Sequence, residues 1–196
     1  METGTGALSD LPMSQVLDRL AEKTPGPGAG STAALVCSLA AALLEMTAAF
    51  DTTPMGSASA VRAGALRDRA LELAERERES YGPVLDALRL PRSDPDRETR
   101  LASALAAAST APLAIASVGA QLAGIAAETV DGVSDQLVGE AVVAAELAEG
   151  ACRAAARLVQ INLAAVPADP RLTEVAGLVT AAAEARAETL AKASDS

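Results

Sequence analysis

The chain has 196 residues, half of them apolar, a formal charge of −10 and no histidine. That length suits a single domain spanning 1–196, with ample material for a core. An acidic chain whose lysines are Lys23 and Lys192, and whose arginines alternate with acids, is not a nucleic-acid binder. The lack of histidine also removes Ser-His-Asp and Cys-His catalysis of the ordinary kind and every His-ligated metal site.

Phe50 and Tyr81 are the only aromatics, and alanine supplies much of the apolar content. Alanine has the highest helix propensity, and no β-branched alternation resembles a strand, so the class is all-α. Residues 1–10 have no basic start and no apolar core, which argues against a signal peptide. Cys37 and Cys152 lie in apolar helical stretches and read as reduced, buried thiols, which points to the cytoplasm; two distant cysteines make no zinc site.

Residues 1–8 are expected to fray, and a first helix is expected over 12–23 with Ser9 or Asp10 near its cap. Met13, Val16, Leu17 and Leu20 fall on one face of it by helical spacing. Thr24-Pro25-Gly26-Pro27-Gly28-Ala29-Gly30-Ser31-Thr32 then forbids a regular element, and Ser31 opens an apolar run to Phe50. Ser31 is read as the N-cap of helix two, 32–50. Its glycine-rich approach leaves N–H groups and a positive helix end open to polar oxygens. The loop is either a rigid link between packed helices or a binding device; it is not a P-loop or dinucleotide fingerprint, because no strand precedes it.

Asp51 to Gly56 breaks the pattern, and a third helix is expected from about residue 57 to 90, with its charged middle facing solvent. Gly82-Pro83 should kink it. Ser93-Asp94-Pro95 starts helix four, 95–130, with a second kink at Pro112. No charge occurs between residues 101 and 127, a length able to span a bilayer. Ser103, Ser109, Thr110, Ser117, Gln121 and the many alanines favour a buried bundle helix over a membrane span. Ser134 caps helix five, 134–166, and Asp169-Pro170 starts helix six, which frays at 192–196. The expected architecture is an antiparallel bundle of about six helices, two kinked at proline.

Polar groups stand out at four places. They are the glycine loop with Ser31; Glu77, Glu79 and Tyr81 before the Gly82-Pro83 break; Asp131-Gly132-Val133-Ser134-Asp135-Gln136 at a helix start; and Asn162 within an apolar run. Each also has a structural reading: a solvated charge run for Glu77 and Glu79, capping for Ser134 and Asp135, and a bond to a neighbouring carbonyl for Asn162.

Together these pieces resemble the cyclodeaminase/cyclohydrolase family, the all-helical C-terminal domain of formiminotransferase-cyclodeaminase and its stand-alone bacterial relatives. The resemblance rests on Pro27-Gly28-Ala29-Gly30-Ser31 with the Ala-rich helix after it, Tyr81 followed by Asp86-Ala87-Leu88-Arg89-Leu90-Pro91, Val133-Ser134-Asp135, and Ile161-Asn162-Leu163. It implies folate one-carbon chemistry on a tetrahydrofolate derivative. Either 5,10-methenyltetrahydrofolate is hydrolysed to 10-formyltetrahydrofolate, or formiminotetrahydrofolate is cyclised with release of ammonia. It further implies a homodimer with no metal or bound cofactor and no membrane or nucleic-acid partner. Carried over residue by residue, the catalytic positions are Asp135, Glu77 and Tyr81, and the substrate-binding positions are Gly28, Gly30, Ser31, Ser134 and Asn162. The chain departs from the family pattern at Ala29 (glycine in relatives), at Glu77 (aspartate), at Leu158 (asparagine) and in lacking a lysine-rich piece after helix two. The alternative these departures suggest is a diverged, non-catalytic relative that binds a folate-like ligand or a partner protein.

Overall fold

The computed structural model describes residues 6–194. Among them a 3-10 turn, Leu8–Asp10, precedes α1 (Met13–Ala21), α2 (Ala29–Ala48), α3 (Pro54–Ser80), α4 (Gly82–Arg89), α5 (Arg97–Ala108), α6 (Thr110–Thr129), α7 (Asp135–Asn162) and α8 (Pro170–Ser194). No strand occurs among the described residues. The fold is all-α, and six helical runs are present when α3–α4 and α5–α6 are each taken as one interrupted helix.

Both interruptions trace to proline, displaced a short way along the chain. Pro83 sits at the second position of α4, and the break falls at Tyr81, whose φ of −87° and ψ of −11° serve as the end of one helix and the start of the next. Pro112 sits in the first turn of α6, and the break falls three residues earlier at Ser109. A helical proline cannot donate to the carbonyl four residues back and collides with it, so the chain yields before the proline.

The core is made of helices α2, α3, α6, α7 and α8, packed mutually, with α4 lying mainly on α5 at one end. Alanines at 34, 40, 41, 116, 123, 126, 144, 145 and 148 are fully buried, and larger side chains such as Leu44, Ile115, Leu122 and Ile125 fill the space between them. Small side chains let the helix backbones come close. At Gly119 of α6, an added Cβ would lie 2.8 Å from the Ala148 carbonyl oxygen and 3.0 Å from Cys152 Cβ on α7. Cys37 and Cys152 are both fully buried. Burial pushes the Cys37 thiol up to about 12 and the Cys152 thiol up to about 11.

Ala29–Ala48 and the stretch Arg97–Thr129 are each long and apolar enough to cross a membrane, as core helices of bundles commonly are. Half of the α2 window is buried against its neighbours, which leaves its other half as an apolar outer face.

Several expected boundaries move. Of the tail expected to fray, residues 1–5 lie outside the described part, but Leu8 is in the core at 2% exposure, and its N–H donates to Glu75 Oε1 on α3. At the other end, 195–196 lie outside the described part, whereas α8 continues through Ser194. Lys192 there donates to the Ala127 carbonyl at 2.8 Å and to Asp131 at 2.6 Å, so that turn is tethered rather than frayed. The face expected to bury α1 is only partly inward: Val16 is buried, but Met13 and Leu17 are more than half exposed.

Candidate active-site cleft

Two antiparallel contacts fix one end of the bundle. The first turn of α2 meets the last turns of α3, and the last turns of α7 close the same end. Between them is a cleft of about 200 Å³ lined by Pro25, Gly26, Gly28, Ala29, Gly30, Glu77, Arg78, Tyr81 and Leu158. The glycine loop and the Glu77–Tyr81 segment, far apart in sequence, thus line one cleft.

Its organising contact is between α2 and α3. Helix α2 starts three residues earlier than the sequence suggests, with Gly28 at the cap position (φ −126°, ψ −153°). Ser31 is therefore not the N-cap: it lies inside the first turn, fully buried. Its hydroxyl donates to the Ala74 carbonyl of α3 at 2.8 Å, and its N–H donates to Glu77 Oε2 at 3.2 Å. The Glu77 carboxylate occupies the place at the positive end of α2 that an external anion would otherwise take. Gly30 permits this approach, since a Cβ there would lie 2.3 Å from Glu77 Cδ.

Burial is the larger influence on the Glu77 carboxyl and raises it above the ordinary carboxylate value, with the Ser31 hydrogen bonds opposing. The Ser31 hydroxyl also lies 3.3 Å from Glu77 Oε2, but it has one proton, and the 2.8 Å bond to Ala74 claims it. Ionised Glu77 consequently keeps little from that hydroxyl, whereas protonated Glu77 can donate to it. A half-buried carboxyl with a raised pKa beside an open cleft is the kind of group that exchanges protons with a ligand.

Arg78 is the cleft residue that the sequence hid. It sits within the charge run read as a solvated face, and its guanidinium bonds Glu75 at 3.0 Å. Tyr81, at the α3–α4 break, is 38% exposed and borders the cleft. Leu158 provides an apolar wall.

The remaining positions lie elsewhere. Ser134 is the N-cap residue of α7 by backbone (φ −69°, ψ 156°), but its hydroxyl makes no capping bond. Asp135 opens α7, exposed, while Leu158 is near the other end of that helix. At about 1.5 Å per residue the two are separated by about 35 Å. The Asp135 end is packed beside the end of α2: at Gly132 a Cβ would come within 2.3 Å of Asp51 Oδ2. Asp135 and Ser134 therefore do not join Glu77 and Tyr81 within one chain. Asn162, the last residue of α7, is half-buried one turn beyond Leu158 and does not line the cleft. Among the described residues no three His, Cys, Asp or Glu side chains gather as a metal site.

This fold is that of an all-helical cyclodeaminase. The crystal structure of formiminotetrahydrofolate cyclodeaminase from Thermotoga maritima superposes with a TM-score of 0.80, covering 96% of each chain at 20% identity. The formiminotransferase-cyclodeaminase family model matches residues 12–177, and the chain belongs to that family. No curated protein sequence matches it.

Proposed function

We propose that the chain is a folate one-carbon enzyme that works at the Gly28–Glu77–Tyr81 cleft. Its substrate would be 5,10-methenyltetrahydrofolate or formiminotetrahydrofolate, and its place the cytoplasm, in keeping with its buried thiols. The observation that carries the reading is Glu77 seated against the first turn of α2 with its carboxyl raised by burial. Family membership supplies the substrate class.

In the hydrolytic reaction water adds to the cationic carbon between N5 and N10, and the bond from that carbon to N5 then breaks. Glu77 takes one proton from the attacking water and passes it to N5 as the carbon–N5 bond breaks. The remaining hydroxyl proton leaves to solvent as the formyl carbonyl forms, so the carboxyl ends ionised and one proton is released with the substrate's positive charge. An ionised Glu77 also stabilises the cationic carbon before attack. Tyr81 stands at the rim as a hydroxyl able to orient water or a pterin edge. In the cyclisation N10 attacks the formimino carbon, and the same carboxyl passes the N10 proton to the departing ammonia. Gly28 and Gly30 allow a flat ring to approach the backbone, but the Ser31 N–H already serves Glu77 and is not a free anion donor.

Leu158 favours the second reading, a ligand-binding protein without turnover, because it presents a methyl surface where an amide would help polarise the substrate. The two are separated by mixing purified protein with 5,10-methenyltetrahydrofolate and following loss of near-ultraviolet absorbance. The enzyme reading expects acceleration that Glu77→Gln abolishes. Binding without acceleration, on this substrate and on formiminotetrahydrofolate, selects the second.

A further inference from the structure

The N-terminal segment covers one side of the bundle without filling the space beneath it. No other helix backbone follows α1 along its length, and Val16 is the one buried residue of that helix. Between α1 and the α2–α3 pair lies a cavity of about 250 Å³. Leu8, Val16, Leu20 and Leu35 wall it, and Met13 and Leu17 stand exposed at its mouth.

No ionisable side chain lines this space. The hydroxyls of its α2 wall are directed elsewhere: Thr32 donates to the Gly28 carbonyl at 2.9 Å and Ser38 to the Leu35 carbonyl at 2.7 Å. The Leu8 N–H is likewise taken by Glu75 Oε1, and Ser9 is exposed at the edge. A buried water needs about three hydrogen-bonding partners, and the inner wall has no free proton to give it. Left empty, such a space forfeits the dispersion contacts of its walls. An apolar molecule restores those contacts and displaces no hydrogen bond.

Size and chemistry narrow the occupant. A dry apolar cavity of about 150 Å³ in another protein admits benzene, so about 250 Å³ suits a molecule of about ten carbon atoms. With no charged partner in the wall, nothing offsets the desolvation of a carboxylate, phosphate or ammonium group. Residues 1–5, Met-Glu-Thr-Gly-Thr, bring one apolar side chain and do not match a wall of leucines and valines. Nor is this the cleft by another route: the two spaces share no lining residue, and the cleft holds Glu77 and Arg78.

We propose that the cavity beneath α1 is a binding site for a neutral, hydrocarbon-like small molecule of about naphthalene size, separate from the Glu77 cleft. Helix α1, held in the core by Val16 alone, is the side that gives way on entry. The guest then supplies the apolar partner that its inner face lacks. The site stands whether or not the folate reading holds.

The test titrates the full chain with naphthalene and follows its methyl resonances. Saturable shifts are expected at Leu8, Val16, Leu20 and Leu35, with the Tyr81 ring signals unmoved and the melting temperature rising with naphthalene concentration. Naphthalenesulfonate, the same rings carrying a charge, is expected to bind at least about tenfold more weakly. Leu20→Trp sets an indole in the space; in this chain without tryptophan its emission should be blue-shifted, and naphthalene binding should be lost.

The absence of saturable shifts up to the solubility of naphthalene, whether the space closes or a second copy's side chains fill it, overturns the site. Shifts centred on Tyr81 or on another face overturn its location. A sulfonate that binds equally well overturns the ligand class. Undiminished binding in folded Leu20→Trp overturns the cavity as the seat; should that variant not fold, the methyl shifts decide alone. Folate turnover enters none of these readouts.

Discussion

Glu77 on α3 holds the first turn of α2 through Ser31, accepting its N–H at 3.2 Å, and Gly30 leaves the space in which it does so. The carboxylate is therefore both a helix-end partner and the titrating group of the cleft. Its two roles can be separated by substitution.

Glu77→Gln keeps an acceptor for the Ser31 N–H but cannot carry a proton to and fro. Turnover is expected to fall by about 10²–10⁴-fold, the usual worth of a positioned acid–base group, with KM changed far less. Steady-state kinetics on the active substrate checks the split; a raised KM with turnover unchanged would make Glu77 a binding residue.

Gly30→Ala is expected to disable the cleft while sparing the fold. The atoms in its way all belong to the Glu77 side chain, which can swing aside. Thermal unfolding should shift by no more than a few degrees, about 1 kcal/mol for a chain of this size. Turnover should drop to the Glu77→Gln level.

Gly119→Ala is the opposite case. There the added methyl meets the Ala148 backbone oxygen and Cys152, neither of which can rotate away. Helices α6 and α7 must separate, at a cost of about 1–3 kcal/mol. Chemical denaturation should show a lower midpoint with an unchanged slope.

Two carboxyls give stability opposite pH dependences. The raised Glu77 keeps its proton in the native state where the unfolded chain has lost it above its ordinary 4.5. Its contribution is full below that value and declines as pH rises through the native value. Asp169, beside Arg171 on the approach to α8, is held down to about 2 by hydrogen bonds from the Arg171 side chain and backbone. Its contribution is full above 3.8 and is lost as pH falls toward 2. Melting temperatures across pH 3–8 should decline less steeply above pH 5 in Glu77→Gln, and Asp169→Asn should flatten the acid limb.

The helical class and the grouping into six runs were legible, and Glu77, Tyr81 and the glycine loop stood out, because each has a local chemical signature. Proline positions marked both helix breaks to within a few residues. The sequence could not show that Ser31 sits within the first turn of its helix, because the anchoring partners, Ala74 and Glu77, are supplied by another helix. Nor could it show that Asp135 opens the far end of α7, since motif order carries no distance. Arg78 was masked by its charged neighbours, and the anchoring of Leu8 and Lys192 depends on contacts more than 60 residues away in sequence.

The break between α3 and α4 has a practical corollary. Tyr81 is the only tyrosine, and the chain has no tryptophan. The protein's own fluorescence therefore originates from one phenol, at the mouth of the cleft. A ligand that enters there reports itself optically without any label.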